Sequence, residues 1–230
     1  LGFLPLGGET RVSLQSPWRA PSFTGSFLPA RRSVGPAGFD AGLGAELAAA
    51  AGARGVRIHL DSHGVEVADP SNAMLERMLP ALGKEGLSTT LPGRWSRSLA
   101  DAEWAIRHGL KVRVVKGQWA DPSDPGRDMR AGFLEVVDRL AGRASHVGVA
   151  SHDVPLAAEA MERLRRAGTP CELELLFGLP MRRSLAWAAG AGGRVRIYVP
   201  YGRGYLPHAV SQLRRNPRFA WWIVKDLLTP

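Results

Sequence analysis

A single cysteine, Cys171, occurs in 230 residues. A lone thiol excludes an internal disulfide, and a reducing compartment suits it better than secretion. Long apolar runs are missing as well. A membrane-spanning helix needs about 18 consecutive apolar residues, and the nearest approach, Phe219-Ala220-Trp221-Trp222-Ile223-Val224, stops at Lys225 and Asp226. There is no block of like charge. The net charge of +9 and pI near 10.7 come from basic residues spread along the chain among acids, with arginine far outnumbering lysine. Without a basic stripe or a nucleic-acid motif, no nucleic-acid partner is expected; small anions such as phosphates and carboxylates suit the charge better. No glycine-rich dinucleotide fingerprint follows any expected strand. The chain starts at Leu1 without a signal-peptide pattern, so its natural start is expected to lie upstream or to be missing.

What is present is apolar material in a regular rhythm. Apolar residues make up 45% of the chain, enough for one substantial core, and a single domain over 1–230 is expected. Residues 1–10 are broken by Gly and Pro and read as irregular, and 11–15 read as a short strand. Residues 16–36, rich in Ser, Pro, Arg and Phe, have no period and predict a long loop. Helices are then expected at 41–51, 73–82, 99–108, 131–140, 156–167 and 184–189, alternating with strands at 55–60, 87–91, 111–115, 145–150, 171–176 and 195–199. Gly52, Gly86, Gly109 and Gly168 stand where helix C-termini need a left-handed residue.

Seven strands interleaved with helices imply a parallel sheet covered by helices. Polar residues close nearly every strand, which favours a (β/α)8-type, TIM-like barrel over an open doubly wound sheet. One strand is missing from the count. The expected fold is therefore α/β, a barrel trimmed or incomplete at its N-terminal strand, with residues 1–6 as a candidate remnant.

The strand ends concentrate ligand chemistry. Arg113, Lys116, Gly117 and Trp119 set two cations, a flexible glycine and an indole around one strand end, a set that suits an anionic planar ligand. An ordinary solvated strand end accounts for that spacing equally well. Alternation places His59, Asp61 and His63 on one face, a spacing that could bind zinc and support a metal-dependent hydrolase; two histidines at a turn are more often simply solvated. Ser151, His152 and Asp153 are adjacent on one strand and cannot converge as a triad. The run Val195-Arg196-Ile197-Tyr198-Val199-Pro200-Tyr201-Gly202 reads as a buried strand that ends in two tyrosines.

Taken in order, these ends resemble the proline dehydrogenase family. Val112-Arg113-Val114-Val115-Lys116-Gly117-Gln118-Trp119 is similar to the family pattern V-R-L-V-K-G-A-Y, and Ala150-Ser151-His152-Asp153 to A-T-H-D. Glu172 to Leu179 resembles E-F-Q-x-L-x-G-M, and Val195 to Gly202 matches V-R-I-Y-V-P-Y-G in full. The resemblance implies bound FAD and hydride transfer from proline, or a related cyclic or secondary amine, with electrons passed on to an acceptor such as a quinone. By position it implies cofactor contacts at Arg113, Lys116, Gly117, Ser151 and His152, and a substrate side built from Tyr198, Leu176 and Trp119. A cytoplasmic protein is expected, with a peripheral membrane contact left open.

The substrate side departs from the family. The arginine pair that clamps the substrate carboxylate falls at Ser211 and Gln212, and the following glutamate at Arg215. Arg214 and Arg215 lie three residues on, a shift of about 300° around a helix, and are candidate substitutes. Losing the pair would cost roughly 1.5 to 3 kcal/mol per unmade charged hydrogen bond. A non-catalytic flavin-binding or interaction module derived from the family is the alternative, beside the metal-dependent hydrolase.

Overall fold

The computed structural model describes residues 11–15, 22–25, 41–62, 64–177 and 179–200. The chain runs β1 (Arg11–Gln15), β2 (Ser22–Gly25), α1 (Ala41–Gly52), β3 (Arg57–Asp61), α2 (Ala68–Leu82), β4 (Leu87–Pro92) and α3 (Ser98–Arg107). It continues through β5 (Lys111–Val115), α4 (Met129–Leu140), β6 (Val147–Ala150), α5 (Val154–Arg166), β7 (Cys171–Leu176), α6 (Arg182–Gly190) and β8 (Val195–Pro200).

The strands close into a barrel in the order β1-β2-β8-β7-β6-β5-β4-β3. From β3 to β8, sequence neighbours pair in parallel. The seam is closed differently: β2 runs parallel to β8, while β1 is antiparallel to both β2 and β3. The expected α/β, TIM-like barrel is thus the observed fold, and where a trimmed or incomplete N-terminal strand was expected the seam is closed by β1 and β2. The eighth strand is Ser22–Gly25, inside the segment read as loop. Four residues of Ser-Phe-Thr-Gly carry too little alternation to register as a strand, and only pairing with neighbours on both sides makes one. Residues 1–6 lie outside the described residues.

The apolar core lies between the sheet and its helices. Ile58, Leu60, Val112, Val114, Val149 and Leu173 point outward from the strands and are buried against Leu75, Met78, Phe133, Leu156 and Met161 of the helices. This accounts for the spacing of the helical apolar residues: in α5, Leu156, Ala157, Ala160, Met161 and Leu164 form one stripe at helical spacing and all are buried. Such burial, at about 25 cal/mol per Å² of apolar surface, dominates the stability of the layer.

Helix ends follow local chemistry. Asp128 caps α4 by accepting from the backbone N–H groups of Arg130 and Ala131, and Asp153 caps α5 by accepting from Leu156 N–H. Helix α2 begins five residues earlier than periodicity predicts, because Pro70 is tolerated in a first turn whose N–H groups lack intrahelical partners anyway. Of the four expected C-terminal glycines, Gly109 and Gly168 hold positive φ, at 65° and 73°. At the other two turns the left-handed residues are Gly55 and Gly83.

Candidate functional site

With the apolar faces turned outward, strand alternation turns charged and hydroxyl side chains into the barrel. Register brings Arg113 level with Thr90 on one side and Gly148 on the other. Gly148 is level with Glu172, and Glu174 with Arg196. The barrel interior is accordingly a network of ions in place of the layers of branched apolar residues usual for this architecture.

Arg113 is its centre. Its Nε donates to Glu174 Oε2 at 2.6 Å, its Nη1 lies 3.7 Å from Asp61 Oδ2, and its guanidinium carbon sits 5.4 Å from the centre of the Tyr198 ring. Burial works against the charge, but Glu174 and Asp61 outweigh it and raise the arginine's pKa further. The Nη2 atom is buried with no hydrogen-bond partner among the described residues. Beside it His59 is held between hydroxyls, Nδ1 2.8 Å from Ser88 Oγ and Nε2 2.7 Å from Thr90 Oγ1. Burial, then Arg113, pushes its pKa well below the usual 6.5, so the ring is neutral.

At the C-terminal ends of the strands, Lys116 Nζ donates to Asp153 Oδ2 at 3.0 Å, while Asp153 Oδ1 caps α5. Burial opposes the carboxylate charge, yet Lys116, the Leu156 N–H and Arg130 together hold Asp153 below the ordinary aspartate value. Ser151 Oγ accepts from Asp153 N–H at 3.1 Å. His152 Nε2 accepts from Leu176 N–H at 2.9 Å, and its Nδ1 faces Pro180 O at 3.0 Å, which fixes the Nδ1–H tautomer. The histidine therefore ties the end of β6 to the loop after β7.

The next loop is equally well anchored. Trp95, fully packed, donates its indole N–H to Trp119 O at 3.0 Å, leaving the Trp119 ring 39% exposed. Asp121 accepts from the N–H and Oγ of both Ser96 and Ser123. Gly117 has φ 96°, and a Cβ there would lie 2.9 Å from Pro92 Cβ and 3.0 Å from Arg94 Cβ. Close approach is what this glycine permits, to its own neighbouring loop.

The expected site residues divide accordingly. Arg113 and Tyr198 meet in the barrel interior, whereas Lys116, Ser151 and His152 are joined through Asp153 and the β7 end, where Leu176 also sits. Arg214 and Arg215 lie outside the described residues. Glu174, Glu172, Asp61 and Arg196 were missed as partners; the signal was available in charges recurring at every second residue within otherwise apolar strands. The metal reading gains nothing here: His59 is engaged on both ring nitrogens, and the described residues hold no group of three ligating side chains. His63 lies outside them.

The family model for inner membrane protein CreD matches residues 1–58, reaching only into β3. The proline dehydrogenase of Deinococcus radiodurans is 27% identical over 154 residues, covering 64% of this chain and 49% of that protein. Proline dehydrogenase 1 of Bacillus subtilis is 26% identical over 153 residues, covering 63% and 50%. The chain is thus similar in sequence to proline dehydrogenases. It spans about half the length of these curated relatives. Among solved structures, proline utilization A with proline bound in remote sites superposes with a TM-score of 0.62 at 16% identity, over 79% of this chain and 22% of that one. Proline utilization A of Corynebacterium freiburgense gives 0.56 at 18% identity, over 73% and 21%. These likenesses show the fold: the chain shares their barrel.

Proposed function

We propose that this chain is a flavin-dependent oxidoreductase of the proline dehydrogenase type, transferring hydride from proline or a related cyclic or secondary amine to FAD. The observation that carries the reading is Arg113: it stands in the motif shared with the family and holds a buried, unpartnered Nη2 donor inside the barrel beside Tyr198. That donor set fits an electron-rich ring. A buried N–H left unmatched costs about 1 to 3 kcal/mol, so an acceptor there supports binding. Lys116 at the strand ends offers a second cation and the exposed Trp119 a stacking surface. When bound, FAD would supply the hydride acceptor. This chain's own residues then hold and orient: Arg113 fixes the ring edge, Tyr198 walls the amine pocket and Leu176 excludes water. His152 acts indirectly, by holding the β7 end in place.

The 230 residues form one barrel domain in this reading. No helix among the described residues is long and apolar enough to cross a membrane. An electron acceptor such as a quinone and a cytoplasmic location, with peripheral membrane contact as an option for reaching that acceptor, belong to the same proposal. The deciding experiment is the visible spectrum of the purified protein, followed by anaerobic addition of proline. A flavin spectrum that bleaches supports the reading. A flavin that proline leaves oxidised moves the substrate to another amine.

A second reading, a non-catalytic flavin-binding or interaction module, is favoured by Ser211 and Gln212, which replace the family's carboxylate-clamping arginines. A colourless protein that gains no flavin absorbance when FAD is added supports that reading against the first.

A further inference from the structure

The opposite mouth of the barrel carries a cavity of about 260 Å³. Its lining comes from the beginnings of strands: Arg57 and Lys111 open β3 and β5, His146 precedes β6, Glu172 is second in β7, and Arg194 and Arg196 flank the start of β8. Of the residues proposed for cofactor and substrate, only Arg113 reaches it. Arg113 and Glu174, bonded to each other, line it from the barrel interior.

Among the described residues, the cations here outnumber the carboxylates that pair with them. Glu172 is taken by Arg196, whose Nε donates to Oε1 at 2.6 Å, with His146 at 3.8 Å from the same oxygen. Glu174 is taken by Arg113, and Lys111 pairs at 2.8 Å with Glu85. Arg57 and Arg194 have no ion pair among the described residues. Arg57 opens β3 and Arg194 precedes β8, strands separated around the barrel by β1 and β2, so their guanidinium groups address the cavity from two sides. A flat carboxylate offers its acceptors in one plane. A tetrahedral oxyanion offers them in every direction and can meet two arginine forks at once.

We infer that this N-terminal mouth is a binding site for a small phosphate dianion, held chiefly by Arg57 and Arg194 with Lys111 and Arg196 in support. It does not depend on the proline dehydrogenase reading, since Arg57 and Arg194 take no part in the strand-end site. The site takes inorganic phosphate or the phosphate end of a small monoester, and the cavity volume accommodates either.

Isothermal titration of the whole chain with inorganic phosphate, at ionic strength held constant with chloride, tests it. Saturable one-to-one binding is expected, weakened at least about tenfold by Arg57→Gln and by Arg194→Gln, the scale of one lost charge-assisted hydrogen bond. Arg163→Gln on the outer face of α5 controls for general loss of charge and is expected to leave the affinity unchanged. Parallel titration with glycerol phosphate separates the sources: tighter binding than phosphate points to a monoester, equal or weaker binding to the free ion, and both support the site. Absence of saturable heat overturns the proposal, as does an affinity that Arg57→Gln and Arg194→Gln leave intact or that Arg163→Gln lowers equally. Tighter binding of a small dicarboxylate than of phosphate overturns the ligand class. Arg194 is exposed, so its variant is expected to fold, and circular dichroism checks that it does.

Discussion

Arg113 and Glu174 meet across Gly148. The arginine stands on β5, the glutamate on β7, and the strand between them presents no side chain where the 2.6 Å bond crosses. A Cβ at Gly148 would lie 2.3 Å from Glu174 Oε1. The carboxylate is the far end of a flexible side chain, but Arg113 pins it. Gly148→Ala is therefore expected to displace the ion pair and destabilise the fold by about 1 to 3 kcal/mol, the cost of overpacking a filled interior. Urea unfolding measures it. Glu174→Ala, which leaves a buried guanidinium with Asp61 at 3.7 Å as its nearest carboxylate among the described residues, is expected to cost about 3 to 5 kcal/mol.

Flavin retention should follow the two motif cations. Under the proposed function, Arg113→Ala removes the buried donor and Lys116→Ala the cation beside Asp153, and both variants should purify with less FAD per chain. Arg113→Ala is expected to be the more severe, because a buried charge-assisted bond of roughly 1.5 to 3 kcal/mol exceeds one at a half-exposed lysine. Equal FAD content in wild type and both variants would remove these residues from the cofactor site.

His59 should make the protein acid-sensitive. Its pKa in the fold is well below the unfolded value near 6.5, chiefly through burial and then Arg113. Between those two values the unfolded chain binds more protons than the native one, so stability rises with pH. The contribution is fully present above about pH 6.5 and is lost as pH falls toward the folded value. His146, also lowered by burial, acts in the same direction. Thermal melts from neutral to mildly acidic pH should show the loss, and His59→Gln should flatten part of it.

Asp121 works in a lower window. Its carboxylate accepts four bonds from Ser123 and Ser96, which hold its pKa well below the usual 3.8. The stability it confers is present above the ordinary aspartate value and is lost as pH falls through the lowered one. Asp121→Asn presents a donor group where two of those hydrogens already point. A cost of about 1 to 3 kcal/mol is expected at neutral pH, with faster hydrogen exchange at Ser96 and Ser123 as the local readout.

How much could be read without coordinates depended on the range of the interaction. The helices expected at 131–140 and 156–167 were legible because an apolar stripe is encoded within a few turns; their aspartate caps, which start them two residues earlier, were not read. Strand β2 was not, since Ser-Phe-Thr-Gly becomes a strand through pairing with β1 and β8. At the candidate site, Arg113, Lys116 and Tyr198 were legible as residue types at strand ends. That His152 would spend both ring nitrogens on β7 and its following loop was not, because its contacts are set by a chain segment 24 to 28 residues away.

The sequence by itself determined the alternation of strands and helices, the parallel sheet that alternation requires and the set of polar side chains available to line a barrel, because each rests on local periodicity. Only the tertiary structure decided which charges meet. Arg113 and Glu174 are 61 residues apart, and their contact exists because closing the barrel brings β5 and β7 either side of a glycine. The same closure gathers Arg57 and Arg194 around one cavity at the other mouth. Ion pairing is set by distance in space, and in a closed sheet that distance is fixed by register and curvature, which no stretch of sequence carries alone.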